Sequence, residues 1–335
     1  MTEANQNVTG EHICLNSEFS TTRAVTRQRP IIFNKPEEQF ESALFISNGD
    51  SPTQVGGLRT KGYFKSSLPG KPLITVVTVV FNGKKHFEEA LLSVLGQTYD
   101  NVEYIIIDGG STDGTLDIIH EHEHAIDYWV SQKDAGIYDA MNKGIGLATG
   151  EFIGLVNADD LIYPKTLKNL SGIIQKNSQI QYTYGKVNFA NDEGVVYGSS
   201  SPLSKELAVA RRFKEMPYPH LSVFVAKDAY KKIGRFNTLF KLGADYDFIL
   251  RMIHNNLVGE RLPGTVGVFR AGGQSGGLKT YIESRRIHCN HGISPLKREM
   301  NFIGSILKMS MFRVLPISVV RILKRIPRTS KNSYS

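Results

Sequence analysis

Cysteine is nearly absent from this chain of 335 residues, which has only Cys14 and Cys289, far apart in the sequence. A secreted fold held together by disulfide bonds is therefore not expected. Residues 1–30 lack the apolar segment of a secretory signal. The sequence also lacks a run of about 20 uncharged apolar residues that could cross a membrane as a helix. These absences predict a protein of a reducing, cytoplasmic compartment.

Outside its C-terminal segment, the chain also lacks any excess of basic side chains. Residues 295–335 contain nine lysines and arginines and one acid, Glu299, whereas residues 1–294 contain 31 basic and 31 acidic residues. The net charge of +8 and the pI near 9.3 therefore come from the C-terminal segment. Because nucleic-acid-binding domains carry their basic excess on the folded part, no nucleic-acid partner is expected.

Short, apolar, β-branched segments alternate with segments of helical periodicity in the middle of the chain. Residues 74–80, 102–107 and 152–156 are predicted strands. Residues 84–95 place apolar side chains at the i, i+3, i+4 spacing of a helix. Continuous buried strands that alternate with helices indicate a parallel sheet covered on both faces. The predicted fold class is therefore α/β.

Changes in composition divide the rest of the chain. Residues 1–71 are predicted to be an N-terminal extension that is partly loosely ordered. The globular domain is expected over residues 72–294, with a first half at 72–176 and a second half at 177–294. The second half is predicted to contain a hairpin across Asn191-Asp192, strands at 221–225 and 265–269, and a helix at 245–255.

Acidic residues follow two of the predicted strands at the point where each strand ends. Asp108 comes directly after the second strand, and Asn157-Ala158-Asp159-Asp160 follows the strand at 152–156. Ligands of such sheets bind beyond the carboxyl ends of the strands. A Mg²⁺ site typically uses one or two carboxylates together with phosphate oxygens. The sequence therefore predicts that these carboxylates meet a polar ligand through a divalent cation.

Several short motifs occur together in a fixed order. They are Val79-Val80-Phe81-Asn82, residues 93–99, 108–115, 134–144 and 157–160, Ala244-Asp245-Tyr246-Asp247-Phe248, and Gly272-Gly273-Gln274-Ser275. With these motifs, residues 72–292 resemble the family 2 glycosyltransferases, in particular enzymes that assemble bacterial surface polysaccharides. The resemblance implies the GT-A fold, a mostly parallel sheet flanked by helices, here followed by a basic amphipathic helical tail.

The resemblance also implies a nucleotide-sugar donor, expected to be UDP-linked, in the first half of the domain. Asp108 would accept a hydrogen bond from the imide N–H of uracil. Asp159 would bind Mg²⁺ or Mn²⁺ between the two phosphates, and Asp160 is the second candidate metal ligand. Asn157 replaces the first aspartate of the family's Asp-X-Asp motif and adds no charge. The donor-binding residues implied in this way are Val80, Asn82, Asp108, Asp134, Gly136, Asn142, Lys143, Asn157 and Asp159.

In the second half, the resemblance assigns the chemistry to Asp245. Inverting sugar transfer needs a carboxylate that removes the acceptor hydroxyl proton while the oxygen attacks the anomeric carbon. Asp245 is the general base implied by the family. The acceptor side and a mobile loop would be formed by His220, Gly273, Gln274, Ser275 and Arg285.

Each of these assignments has a structural alternative. Asp108 could stabilise the turn that follows it, and Asn157–Asp160 could cap a helix. Lys143 is spaced for a plain i, i+4 ion pair with Asp139. Asp245 could be the N-cap of its helix, and a lone histidine such as His220 is more often structural than functional.

The C-terminal segment, residues 295–335, mixes apolar and basic residues at helical spacing, and Pro316 divides it. Basic amphipathic helices bind anionic membrane surfaces. This pattern predicts a peripheral protein on the inner face of the cell membrane, next to a lipid-linked glycan acceptor. The alternative is a helix packed on the domain, with its basic side in solvent.

The predicted function is metal-dependent, inverting transfer of a sugar to a lipid-linked glycan in polysaccharide biosynthesis. A rival hypothesis is a sugar-nucleotide pyrophosphorylase, although residues 81–85 are a poor match to the glycine-rich signature loop of those enzymes. A second rival is a non-catalytic, membrane-docked glycan-binding protein, which Asn157 favours. Release of pyrophosphate, or metal-dependent hydrolysis of a UDP-sugar, would separate the three.

Overall fold

The computed structural model describes residues 12–30, 53–200, 202–270 and 278–314. These residues fall into two compact units, one before and one after the segment 271–277. In the first unit, a ten-stranded sheet lies among helices, and the second unit consists of two helices. The expected α/β fold is confirmed, whereas the domain boundaries at 71 and 294 remain predictions.

The described strands and helices follow one another along most of the first unit. The strands are β1 (Gln54–Gly56), β2 (Ile74–Val80), β3 (Val102–Asp108), β4 (Tyr128–Ser131), β5 (Phe152–Leu155), β6 (Leu161–Ile162), β7 (Tyr182–Ala190), β8 (Val196–Ser199), β9 (Phe224–Ala226) and β10 (Gly259–Arg270). The helices are α1 (Lys84–Leu95), α2 (Thr115–Glu121), α3 (Ile137–Leu147), α4 (Thr166–Lys176), α5 (Lys205–Arg211), α6 (Lys227–Ile233), α7 (Ala244–His254), α8 (Leu278–Asn290) and α9 (Pro295–Val314).

Four neighbouring strands, β4, β3, β2 and β5, run parallel and form the first half of the sheet. Every residue of β2 and β3 is buried, as expected for a continuous β-branched strand that is covered on both faces. The edge strand β1 pairs antiparallel with β4. The strands and the helix predicted in this half therefore occur where the sequence placed them.

Helices α1 and α3 cover opposite faces of β2. Val76 and Val80 belong to the same buried cluster as Phe87 of α1. On the other face, Gly144 of α3 lies so close to Val77 that an added Cβ would be 2.2 Å from a methyl carbon of that valine. Side chains of a strand alternate between the two faces, so this arrangement fixes α3 against the sheet and directs its N-terminus toward the carboxyl edge.

The second half of the sheet is mixed. β9 pairs antiparallel with β5, β10 runs parallel to β7, and the predicted hairpin is formed by β7 and β8. β10 begins at Gly259 rather than at the predicted residue 265. Its pairing with β7 continues on both sides of Pro263 and Gly264, with a register shift at this interruption. The predicted strand at 221–225 instead starts with the 3-10 turn His220–Ser222.

Residues 12–30 of the N-terminal extension are docked on the first unit. Ser20 and Thr21 are fully buried. The Ser20 N–H donates to the carbonyl oxygen of Leu95 over 2.8 Å, and the Thr21 hydroxyl donates to that of Ala125 over 2.7 Å. These hydrogen bonds attach residues 20 and 21 to the end of α1 and to the segment before β4. The partly loose order expected for residues 1–71 stays a prediction.

In the second unit, α8 and α9 pack against each other. The Arg285 guanidinium on α8 lies 2.7 Å from a carboxylate oxygen of Glu299 on α9. The predicted break at Pro316 lies outside the described residues. Among the helices of the described ranges, none has the length and apolar character needed to span a membrane.

Candidate active site

The loops that follow β2, β3 and β5 converge at the carboxyl edge of the parallel strands. Val80, the last residue of β2, pairs with Asp108, the last residue of β3. On the other side of β2, the Val156 N–H donates to the carbonyl oxygen of Val77 over 3.0 Å. The strand order thus brings together the two acidic loops that the sequence singled out.

Asp108 is fully buried, and its carboxylate holds the loop that follows it. Oδ2 accepts the N–H groups of Gly110 and Ser111, each at 3.0 Å, and the Ser131 hydroxyl at 2.6 Å. Oδ1 accepts the Ser111 hydroxyl. Asp108 therefore makes the contacts expected of a residue that stabilises the turn after β3. A contact with uracil remains a prediction.

The turn after β2 is tied to the same loop. Asn82 has a φ of 51°, a left-handed conformation that asparagine tolerates. Its N–H donates to the Ser111 hydroxyl oxygen over 2.7 Å, and its Oδ1 accepts the Thr112 N–H over 2.9 Å. Phe81, between Val80 and Asn82, is 65% exposed at this edge. Phe81 lies in the Val79–Asn82 motif, but the sequence alone does not assign it to the site.

The Asp134 carboxylate lies against the loop of Asp108. A Cβ added to Gly109 would be 2.7 Å from Oδ2 of Asp134. Oδ1 of Asp134 accepts the Gly136 N–H over 2.8 Å. Burial raises the pKa of Asp134, and both this hydrogen bond and the nearby Lys143 act in the opposite direction. Asp134, Gly136 and Lys143 therefore share one polar region with Asp108.

Lys143 forms the i, i+4 ion pair that the sequence allowed. Its Nζ lies 3.0 Å from Oδ2 of Asp139, with the two side chains 3% and 14% exposed. The same carboxylate oxygen accepts the Ala135 N–H over 3.1 Å. The pair thus stabilises the start of α3, and a contact between Lys143 and the donor remains a prediction.

Asn142 uses its side-chain amide inside the protein. Its Nδ2 donates to the carbonyl oxygen of Phe236, and its Oδ1 accepts the Phe236 N–H, both over 2.9 Å. The side chain is fully buried. Asn142 therefore attaches α3 to the segment that leads into α7, and the donor-binding role implied for it remains a prediction.

The loop after β5 contains two carboxylates in different surroundings. Asp160 is 1% exposed, and its oxygens accept the Arg270 N–H at 3.0 Å and the Asn157 Nδ2 at 3.3 Å. Burial, and then the neighbouring Asp159, raise the pKa of Asp160 well above its usual range. Asp159 is half-buried, and burial raises its pKa as well.

The oxygen atoms of this loop fit a hard divalent cation. Oδ1 of Asn157 is buried without a hydrogen-bond partner among the described residues. Together with the Asp159 carboxylate, it offers the oxygen ligands that Mg²⁺ and Mn²⁺ accept. A bound cation would also offset the cost of burying negative charge. Asp160 fits less well as a ligand, because both of its oxygens already accept hydrogen bonds.

The described ranges also contain a group of three side chains, away from the loop of Asp159, whose potential metal-ligand atoms lie within 4.8 Å of one another. This group is Glu88, Glu121 and His122, and its two glutamates are exposed. It lies on α1 and at the end of α2, so it is separate from the loop of Asp159.

Asp245 meets residues from two other elements. Its Oδ1 accepts the Tyr138 hydroxyl of α3 over 3.1 Å and the Tyr246 N–H over 2.8 Å. Burial lowers the pKa of His220, and the nearby Asp245 carboxylate acts in the opposite direction. The His220 ring lies edge-on to the Phe236 ring, with centroids 6.0 Å apart. The structure thus brings the predicted base and the predicted acceptor-side histidine together.

The helix that carries Asp245 is capped by another residue. The N-cap of α7 is Gly243, and Asp245 is the second helical residue. The N-cap alternative for Asp245 is therefore wrong. Asp247, two residues further along the helix, pairs with Arg251 over 2.9 Å and is 4% exposed.

The structure does not test four of the predicted acceptor-side residues. Gly273, Gln274 and Ser275 lie outside the described residues. Arg285 belongs to the second unit, where it pairs with Glu299. Their roles remain predictions.

Two residues that sequence reasoning did not assign also contact the site. Tyr138 lies in the motif at residues 134–144, and this position could have identified it as a site residue. Arg270 directly precedes the glycine-rich segment, and its guanidinium donates to the carbonyl oxygen of Asp159 over 3.3 Å.

Residues 75–234 match the family model described as Glycosyl transferase family 2. The chain is 30% identical over 190 residues to a PGL/p-HBAD biosynthesis glycosyltransferase of Mycobacterium bovis (strain BCG / Pasteur 1173P2). This alignment covers 55% of the chain and 71% of the relative.

Solved structures resemble the fold at low sequence identity. The S. aureus TarS fragment 1–349 in complex with UDP-GlcNAc has a TM-score of 0.52 and 17% identity, over 70% of this chain and 71% of that one. The mannosyltransferase of Pyrobaculum calidifontis in complex with GDP-Man and Mn²⁺ has a TM-score of 0.50 and 17% identity, over 76% and 79% of the two chains. The expected GT-A fold is confirmed. Taken with the family model and the mycobacterial relative, the fold and the converging acidic loops lead to one conclusion: the chain is a glycosyltransferase and belongs to glycosyl transferase family 2.

Proposed function

We propose that this protein transfers a sugar, with inversion, from a UDP-linked donor to a lipid-linked glycan in polysaccharide biosynthesis, in a metal-dependent reaction at the cytoplasmic face of the membrane. The observation that carries the proposal is the 3.1 Å contact between the Tyr138 hydroxyl and the Asp245 carboxylate. Tyr138 lies on the helix that follows the Asp134–Gly136 loop. A region suited to the donor and a carboxylate suited to the acceptor proton are thus adjacent.

The donor half of the proposal rests on the carboxyl edge of the sheet. The exposed ring of Phe81 offers a face on which a base can stack, and Asp108 and Asp134 lie in neighbouring loops. TarS has been solved with UDP-GlcNAc and with UDP, and the mannosyltransferase with GDP-Man. These complexes support a nucleotide-sugar donor, and the choice of UDP is part of our proposal.

The proposed metal site is formed by Asp159 and by Oδ1 of Asn157, for which the described part of the chain provides no hydrogen-bond partner. Asp160 would join as a ligand only by giving up a hydrogen bond, and it otherwise holds the loop in place. A Mg²⁺ or Mn²⁺ ion bound here would supply positive charge to the departing diphosphate. The Mn²⁺ in the mannosyltransferase complex supports this part of the proposal.

In the proposed reaction, Asp245 accepts the proton of the acceptor hydroxyl. The acceptor oxygen forms a bond to the anomeric carbon from the face opposite the diphosphate. The bond to the diphosphate breaks, and its electron pair leaves with the nucleoside diphosphate. Positioned proton transfer of this kind contributes about 10²–10⁴-fold to the rate. His220, whose pKa is lowered by burial, is neutral at pH 7 and adds no positive charge beside the base.

The proposed membrane contact rests on α9. Leu296, Met300, Ile303 and Leu307 are between 56% and 75% exposed. Their spacing of four, three and four residues places them on one face of the helix. The neighbouring Lys297 is exposed and supplies positive charge. An exposed apolar stripe with basic neighbours is typical of helices that lie on anionic membranes. Such a contact would bring a lipid-linked acceptor to the protein.

A binding panel tests the donor and the metal together. We expect at least one of UDP-glucose, UDP-galactose and UDP-N-acetylglucosamine to bind at least ten-fold more tightly with Mn²⁺ than without it, measured by calorimetry. In Asp159→Asn this gain should fall below three-fold. Asp117→Asn, an exposed change on α2, is the matched control and should keep the gain. Equal binding with and without Mn²⁺ would contradict the metal, and preference for a GDP- or dTDP-sugar would contradict the choice of UDP.

A further inference from the structure

The carboxylate proposed as the base is held from another part of the chain. Tyr138 is 8% exposed and lies in the first turn of α3, and its hydroxyl donates to Oδ1 of Asp245. The Tyr246 N–H donates to the same oxygen. Within the described ranges, these are the hydrogen bonds that the Asp245 side chain accepts, and both go to Oδ1. Oδ2 of this half-buried residue is therefore the oxygen left to take a proton.

The helix that carries Tyr138 is itself fixed to the segment before α7. The two hydrogen bonds between Asn142 and the Phe236 backbone set the register of α3 against this segment. The Tyr138 and Phe236 rings are 5.6 Å apart, and the Phe236 ring lies 4.8 Å from that of Phe248 in α7. The distance from α3 to Asp245 is thus set by contacts at both ends.

From this geometry we propose that Tyr138 is a positioning residue, which holds Oδ1 of Asp245 and directs Oδ2 toward the acceptor hydroxyl. The inference rests on the proposed role of Asp245 as the base. The acceptor proton moves to Oδ2, while Oδ1 keeps its two hydrogen bonds throughout the transfer. Because α3 begins at the Asp134–Gly136 loop, the same helix aligns the base with the region proposed for the donor.

A tyrosine that served only to pack the interior would behave differently. Tyr99 offers the comparison, because it is 7% exposed and its hydroxyl donates to the carbonyl oxygen of Pro72 over 2.6 Å. Among the described residues, its hydroxyl makes no hydrogen bond to Asp245 or to the acidic loops. Tyr99→Phe and Tyr138→Phe therefore each remove the hydroxyl of a nearly buried ring, and of the two only Tyr138→Phe removes a hydrogen bond to the proposed base.

The test measures rate and binding separately. The rate is that of UDP release, with Mn²⁺ and water as the acceptor, from whichever of UDP-glucose, UDP-galactose and UDP-N-acetylglucosamine the native protein hydrolyses fastest. Single-turnover conditions avoid any limit from product release. We expect Tyr138→Phe to lower this rate about ten-fold, since small misplacements of a reacting group are costly. The donor Kd by calorimetry should stay within two-fold, and Tyr99→Phe should change neither quantity.

The outcomes separate this inference from the proposed function. If Asp245→Asn keeps the native rate, or the native protein hydrolyses none of the three sugars, the proposed function itself fails. If Asp245→Asn loses the rate while Tyr138→Phe keeps it, the positioning role is wrong. A Tyr138→Phe variant that loses donor binding and rate equally would make Tyr138 a binding residue instead. If the two tyrosine variants have similar melting temperatures, a difference between their rates does not come from a loss of folding.

Discussion

Arg270 donates its backbone N–H to Oδ1 of Asp160 over 3.0 Å, at the end of β10. Its side chain is 6% exposed and reaches both the carbonyl oxygen of Asp159 and a carboxylate oxygen of Glu89 on α1, at 3.3 and 2.8 Å. One arginine therefore joins the acidic loop after β5 to the last strand of the sheet and to the helix after β2. The position of the proposed metal ligand depends on a residue far from it in sequence.

Replacing this arginine should loosen the acidic loop. Lysine cannot reproduce the fork of donors that a guanidinium offers. We expect Arg270→Lys to weaken Mn²⁺-dependent donor binding about ten-fold by calorimetry, and to lower the free energy of unfolding by about 1–3 kcal/mol. Asp117→Asn, an exposed change on α2, is the control and should change neither quantity. Unchanged donor binding in Arg270→Lys would rule out this role.

Removing the proposed base should separate chemistry from binding. Asp245→Asn keeps the shape of the side chain but cannot take a proton at pH 7. The rate of sugar transfer or donor hydrolysis should fall by about 10²–10⁴-fold, while the donor Kd stays within two-fold. Asp228→Asn changes an aspartate with an 86% exposed side chain on α6 and should have no effect. A comparable loss of donor binding in Asp245→Asn would identify a structural residue.

Asp108 should contribute to stability whether or not it contacts a base. It accepts four hydrogen bonds inside the protein, and asparagine can accept with one atom only. We expect Asp108→Asn to lower the free energy of unfolding by about 2–3 kcal/mol, and Ser131→Ala, which removes one of these bonds, by about 1 kcal/mol. Urea denaturation measures both. If Asp108→Asn instead weakened UDP binding without a stability loss, the uracil contact would be the main role.

The buried Asp127 should make stability depend on pH. Burial raises its pKa to about 7, and the buried Lys65 opposes this shift only in part. An unfolded aspartate loses its proton near pH 4, so the folded state binds the extra proton between pH 4 and 7. Its contribution to stability is complete below pH 4 and is lost as the pH rises through 7. The free energy of unfolding of the native protein, relative to Asp127→Asn, should therefore fall across this range. A flat difference would contradict the shifted pKa.

The apolar stripe of α9 should decide membrane binding. We expect the full chain to sediment with vesicles that contain phosphatidylglycerol. Serine at positions 296, 300, 303 and 307 should lower the bound fraction at least ten-fold, because the apolar face supplies the burial. Leu92→Ser, at a 45% exposed position on α1, is the control. Binding that survives the four serines would contradict the proposed contact.

Local patterns were sufficient for the central elements. The boundaries of β2 and α1 were predicted to the residue, since a buried β-branched run and an i, i+3, i+4 pattern are both read from neighbouring side chains. β10 was predicted too short, because Pro263 and Gly264 look like an end of the strand. Pairing with β7 on both sides of this interruption keeps the strand continuous, and such pairing is not visible in the local sequence.

The sequence by itself determined that acidic residues follow parallel strands, and the rule that such ends share an edge was enough to bring Asp108 and Asp159 together. Only the tertiary structure decided which groups hold the other acidic residues of the site, Asp245 and Asp160. Tyr138 and Asp245 are separated by 107 positions, and Arg270 and Asp160 by 110. Contacts between residues so far apart in the sequence depend on how helices pack on the sheet, and the spacing of residues along the chain does not predict them.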